Sequence, residues 1–224
     1  NPVAVIPNPL TPPPDLETFD PAAFRSACAA APDTRLLLYL GRLHPVKGLE
    51  RLVQAWDMLA GERAGWRLVI AGPDEEGYRA RLVAEIESRG LGPTIALTGP
   101  LDDRQKWAAL RAADLFVMPS DFENFGSAIA EAMYAAKPVV TTTGTPWRVL
   151  RDYGCGWQVE PDPRALADAL GQAMRLSPAH LCEKGDACRR AIEDTGVFSA
   201  ARACADVYEW LLGRRGAPPS VRKS

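Results

Sequence analysis

Leu36-Leu37-Leu38-Tyr39-Leu40-Gly41-Arg42-Leu43-His44-Pro45-Val46-Lys47-Gly48 holds the pattern on which the fold turns. Five residues run without a polar interruption, as in a strand buried on both faces of a parallel sheet. Glycine stops the run, and a loop carrying two cations follows. After Gly48 the apolar period changes: Leu49, Leu52, Val53, Trp56 and Leu59 recur as one face of a helix. Strand, glycine, loop and helix together make one unit of an open α/β sheet.

The unit recurs along the chain. Residues 68–71 end at Gly72, 95–98 at Gly99 and 115–118 at Pro119, while 138–142 lead to Gly144. Helical periods lie between them, at Leu82, Val83 and Ile86, at Trp107 and Leu110, and later at Leu166 and Leu170. This alternation predicts an α/β fold with a doubly wound, Rossmann-like parallel sheet. A short strand at 3–6 precedes it, set apart by the proline-rich loop 7–14. Beyond about Pro163 the strands stop, and helices are expected at 163–175, 178–194 and 199–213. The polar stretch 214–224 is expected to be a disordered tail. No internal repeat is found.

The 224 residues fit one large domain. With 26 Lys and Arg against 28 Asp and Glu, the formal charge is −2, and no basic stripe suits a nucleic acid. An anionic ligand must therefore be held by a few placed cations. Five cysteines, an odd number without a Cys-x-x-Cys pair, argue against a disulfide framework and a zinc site. The reading is reduced thiols in a cytoplasmic protein. Two histidines offer little for metal chemistry. No apolar run reaches membrane-span length and no signal peptide opens the chain. It begins at Asn1, so a piece of a longer protein is expected.

In a parallel sheet, ligands bind at the carboxyl ends of the strands. There, Arg42 offers a planar fork of donors and Lys47 a point charge, a pair suited to a diphosphate, although a solvated loop reads the same way. Pro119-Ser120-Asp121-Phe122-Glu123-Asn124-Phe125-Gly126-Ser127-Ala128-Ile129-Ala130-Glu131-Ala132-Met133 is more telling. It follows a strand and opens a helix near 124–127, whose free N–H groups form an anion site. Glu131 lies about 12 Å beyond Glu123 at 1.5 Å per residue, a span of the order of a diphosphate with a sugar at each end. Carboxylates accept from paired sugar hydroxyls. A glutamate in a helix usually faces solvent, but Ala128, Ile129, Ala132 and Met133 mark this helix as buried, and a carboxylate there needs a partner.

Glu123, seven residues and Glu131 resemble the Glu-x7-Glu motif of retaining glycosyltransferases of family 4, which have the GT-B fold. Ile6-Pro7-Asn8-Pro9, Gly41-Arg42-Leu43, Lys47-Gly48, Pro119-Ser120, Phe125-Gly126 and Pro138-Val139-Val140 extend the resemblance over roughly residues 3–212. It implies that residues 1–213 are the second, donor-binding domain, one half of a GT-B fold. It implies further that Arg42, Lys47 and Glu123 are catalytic: the cations neutralise the diphosphate and the charge on the leaving group, and Glu123 contacts the donor sugar. Asn124, Phe125, Gly126 and Ser127 would line sugar and phosphates with their backbone, and Glu131 would take the ribose hydroxyls. The base would lie near Pro100 and Leu101. No cofactor or metal is implied; the donor is a UDP- or GDP-linked sugar.

Two departures stand out. Ala136-Lys137-Pro138 replaces the family's glycine before Lys/Arg-Pro-Val-Val. Thr142-Thr143-Gly144-Thr145-Pro146-Trp147, with Gly154-Cys155-Gly156-Trp157, resembles bacterial lipopolysaccharide or exopolysaccharide transferases. Trp147 is open to two readings, packing against the donor site or in the core. The resemblance further implies a missing N-terminal acceptor-binding domain, a glycan or lipid-linked acceptor, and peripheral association of the full-length enzyme with the inner face of the membrane. The isolated domain is expected to bind donor weakly and transfer nothing. The competing readings are a non-catalytic sugar-nucleotide-binding or interaction module, and a GT-B relative such as an epimerase or phosphorylase.

Overall fold

The computed structural model describes residues 2–222. A two-residue strand β1 (Val3–Ala4) and a helix α1 (Pro21–Ala27) come first. Then β2 (Arg35–Leu40), α2 (Leu49–Met58), β3 (Trp66–Ala71), α3 (Tyr78–Ser88), β4 (Ile95–Gly99), α4 (Asp103–Ala112), β5 (Leu115–Met118), α5 (Ser127–Tyr134), β6 (Val139–Thr142), α6 (Val149–Asp152) and β7 (Gly156–Val159) alternate. Three helices follow, α7 (Pro163–Met174), α8 (Pro178–Asp194) and α9 (Ala200–Leu211), and then β8 (Val221–Arg222).

Six strands form one parallel sheet in the order β4-β3-β2-β5-β6-β7. The chain winds outward from β2 to β4, returns through α4, and winds outward again from β5 to β7. Crossovers between parallel strands are right-handed, so the two halves place their helices on opposite faces. Accordingly α2 packs against α3 and α7, while α1 packs against α4, and α5 against α8. The continuous apolar runs are the strands covered on both faces: Leu36, Leu37, Leu38 and Tyr39 of β2 and all of β5 are buried.

Four elements go beyond the pattern in the sequence. Strand β7 is half-exposed along its length and starts on glycine, so it has no buried run to betray it. Helix α1 buries only Phe24, and α6 is four residues long. The stretch expected to be a disordered tail is ordered otherwise as far as Arg222: Val221 and Arg222 pair antiparallel with Ala4 and Val3, and the Val5 N–H donates to the Ser220 carbonyl at 2.9 Å. The extended edge of β1 has no neighbour in the main sheet, and this segment satisfies it. Residues 223 and 224 lie outside the described residues.

Helix α5 ends in a Schellman turn. The Lys137 N–H donates to the Ala132 carbonyl at 2.9 Å and the Ala136 N–H to the Met133 carbonyl at 3.0 Å. Such a turn needs a left-handed residue, and Ala136 supplies it at φ +55. An alanine there carries a steric cost that glycine avoids. Ala136→Gly should therefore raise the unfolding free energy, by on the order of 0.5–1 kcal/mol after the extra chain entropy of glycine is subtracted. A urea melt with an unchanged slope measures it; a loss of stability would show that the alanine methyl packs favourably here.

Candidate functional site

The strand order reverses between β2 and β5, so α2 and α5 leave the sheet on opposite faces and a crevice opens between their first turns. Both helices begin at a left-handed glycine, Gly48 (φ +66) and Gly126 (φ +78), with no side-chain cap. By contrast α4, α7 and α8 are capped by Asp102, Asp162 and Ser177. The first-turn N–H groups of α5 are thus not satisfied by their own cap, where helix geometry favours an anion.

The loops after β2 and β5 are joined across the crevice. The Asp121 N–H donates to the Val46 carbonyl at 2.8 Å. Arg51 donates to the Pro119 carbonyl at 2.8 Å and pairs with Asp121. Lys47 Nζ meets Glu123 Oε1 at 2.6 Å, and Ser120 Oγ donates to the same oxygen at 2.7 Å. The Lys47 and Glu123 side chains are 13% and 11% exposed, so water screens their attraction little.

Glu131 points into a second part of the crevice. A cavity of about 430 Å³ runs from Gly41 and Gly72 at the ends of β2 and β3, past Pro100 and Leu101 after β4, to Ser127 and Glu131 on α5. Lys106 of α4 lines it too and holds Glu131 Oε1 at 2.7 Å. Burial opposes the charge on Lys106, but the hydrogen bonds and charges of Glu131 and Asp103 outweigh it and hold its pKa above the ordinary lysine value. Arg42 stands apart from Lys47, largely exposed and paired with Glu75 at 2.7 Å. Its carbonyl accepts from the Tyr39 hydroxyl at 2.9 Å. Burial, helped by the charge of Glu123, raises the Tyr39 pKa far above its ordinary value, which keeps the phenol a neutral donor.

The sequence-predicted residues therefore fall into three groups. Lys47 and Glu123 touch; Glu131 faces the cavity with Ser127; Arg42 sits on the rim. Asn124 is exposed, and Phe125 and Gly126 are half-buried between the two carboxylates. Sequence reasoning missed Lys106, Ser120 and Arg51 as parts of the site. Ser120 was in view before Glu123, and its full burial marks it. Lys106 left no local signal, because its partner lies 25 residues away. Among the described residues, no three His, Cys, Asp or Glu side chains gather as a metal site.

Residues 22–193 match the family model described as glycosyl transferases group 1. The chain is similar to the D-inositol 3-phosphate glycosyltransferase of Xylanimonas cellulosilytica, with 32% identity over 218 residues, 91% of this chain and 51% of that protein. It is also similar to the GDP-mannose:cellobiosyl-diphosphopolyprenol alpha-mannosyltransferase of Komagataeibacter xylinus, with 29% identity over 196 residues, 85% of this chain and 49% of that protein. The chain thus spans about half the length of these curated relatives. The sucrose-phosphate synthase of Thermosynechococcus elongatus superposes on 94% of this chain and 53% of its own, with a TM-score of 0.78 and 25% identity. The matched residues take in the whole six-stranded sheet and both walls of the crevice, and the chain belongs to the group 1 glycosyl transferases.

Proposed function

We propose that this chain is the donor-binding half of a retaining glycosyltransferase of family 4 with the GT-B fold, of the lipopolysaccharide or exopolysaccharide type. The observation that carries the reading is the crevice at the strand reversal, where an uncapped helix start lies between two carboxylates, Glu123 and Glu131, each held by a lysine. The names of the relatives support it: one is named for GDP-mannose and a diphosphopolyprenol-linked acceptor, and another for lipopolysaccharide core biosynthesis.

In this reading the nucleoside occupies the cavity, with its ribose hydroxyls donating to Glu131 and its base beside Pro100 and Leu101. The diphosphate runs past the first turn of α5 toward Lys47, with Arg42 on the rim. Glu123 accepts from hydroxyls of the transferred sugar. As the bond to the sugar breaks, negative charge grows on the departing diphosphate. Lys47, fixed and poorly screened, stabilises that charge most in the transition state. Cationic side chains take the part a metal plays elsewhere. The acceptor, a glycan or a lipid-linked saccharide, is bound by an N-terminal half, in the cytoplasm or at the inner face of the membrane.

Thermal melts of this chain with UDP, GDP, ADP and their sugars test the site. The matching nucleotide, at about 100 times its dissociation constant, should stabilise by about 2.7 kcal/mol, which raises the melting point by roughly 5–10 °C. Glu131→Gln should weaken that nucleotide about tenfold, since a charged acceptor becomes a neutral one. If no nucleotide moves the melt, the site lies elsewhere.

Lys47→Ala should destabilise the unliganded chain by about 2 kcal/mol, because Glu123 loses its counter-charge in a poorly hydrated place. Combined with Glu123→Gln, the loss should be smaller than the sum of the single losses. An additive double mutant in a denaturant titration would mean that the two groups do not interact in solution.

A further inference from the structure

The loop that carries Glu123 rests on the end of β6 and the segment after it. Thr141 Oγ1 donates to the Met118 carbonyl at 2.8 Å, and the Thr142 hydroxyl donates to the Ser120 carbonyl. The Glu123 N–H donates to the Gly144 carbonyl at 2.9 Å. The backbones approach so closely at Gly144 that a Cβ there would lie 2.1 Å from the Asp121 carbonyl oxygen. The last tie comes from an aromatic side chain. The indole N–H of Trp147 donates to the Phe125 carbonyl, and the two rings pack with centroids 5.1 Å apart. Trp147 is 4% exposed, so its indole is fixed in the core.

This bond orients a peptide plane. Cis peptide bonds are absent among the described residues, and in a trans peptide the carbonyl and the N–H point in opposite directions. With the Phe125 carbonyl turned onto Trp147, the Gly126 N–H of the same plane points away from it, and no backbone acceptor takes it among the described residues. Without the indole N–H, the Phe125 carbonyl would lose its partner in the protein, and the plane could rotate about a glycine that tolerates most backbone angles. Trp147 therefore lies in the core and contacts the loop between Glu123 and Gly126.

We propose that Trp147 is a positioning residue for the diphosphate and sugar end of the donor, acting through the Phe125–Gly126 peptide. The inference rests on the donor-site reading above and adds a selectivity to it. A ligand that fills only the cavity at Glu131 does not reach Gly126, whereas one carrying a second phosphate and a sugar does.

The test compares three ligands of one base, either UMP, UDP and UDP-glucose or GMP, GDP and GDP-mannose, whichever set the wild-type chain binds. Trp147→Phe keeps a ring and removes the donor. It should weaken the diphosphate and the nucleotide sugar by about fivefold to tenfold, the worth of one hydrogen bond, and leave the monophosphate within about twofold. Trp147→His, whose Nε2–H takes the place of the indole N–H, should recover most of the loss. In the wild-type chain, the Gly126 amide resonance should shift with the nucleotide sugar and hold still with the monophosphate, a measurement that needs no variant to fold. Equal weakening of all three ligands by Trp147→Phe, no weakening of any, or a Gly126 amide unmoved by the nucleotide sugar would overturn the role of Trp147 while leaving the site intact. A wild-type chain that binds none of the ligands would overturn both.

Discussion

Everything at the crevice depends on the reversal of strand order between β2 and β5. Two adjacent strands send their helices to opposite faces, so the loops that follow them must part. The chain then rejoins those loops through Asp121 and Val46, through Arg51 on Pro119, and through Lys47 on Glu123. The backbone gap is set by right-handed connection geometry; the ties that span it are side-chain choices. Fold and site therefore have separate origins that coincide in space. The sheet would survive without Lys47, Glu123 or Glu131, but those residues have this geometry only because the sheet reverses there.

Much of this was legible in the sequence wherever burial leaves an uninterrupted mark. Leu36 to Leu40 read as a strand because both faces are covered, and the start of α5 was legible from Gly126 and the apolar residues beyond it. Strand β7 was not, because an edge strand with half-exposed residues has no distinctive pattern. The pairing of residues 221–222 with β1 was not either, since it consists of backbone bonds between segments at opposite ends of the chain. In the site, Glu123 and Glu131 could be found because helical rise relates them locally. Lys106 and Glu75 could not, because each meets its partner only through tertiary packing.

The two departures from the family pattern behave differently once placed. Ala136 sits where the turn at the end of α5 asks for a left-handed residue, and the structure absorbs it as local strain against α8, whose Gly185 passes beneath the Ala136 carbonyl. Trp147 is absorbed in the other direction. It brings a donor group under a loop that threonine hydroxyls and backbone bonds already tie to β6 and the segment after it, and so extends that support by one more peptide.

Arg42, Lys47 and Lys106 each already hold a glutamate, Glu75, Glu123 and Glu131 in turn. Each of these cations at the crevice is thus matched by a carboxylate of the protein itself. On the proposed donor-site reading, a diphosphate that reaches Lys47 or Arg42 must exchange with a glutamate already held there. The net electrostatic gain of such an exchange is smaller than that of meeting an unpaired cation, so on this reading the crevice selects by fit more than by charge.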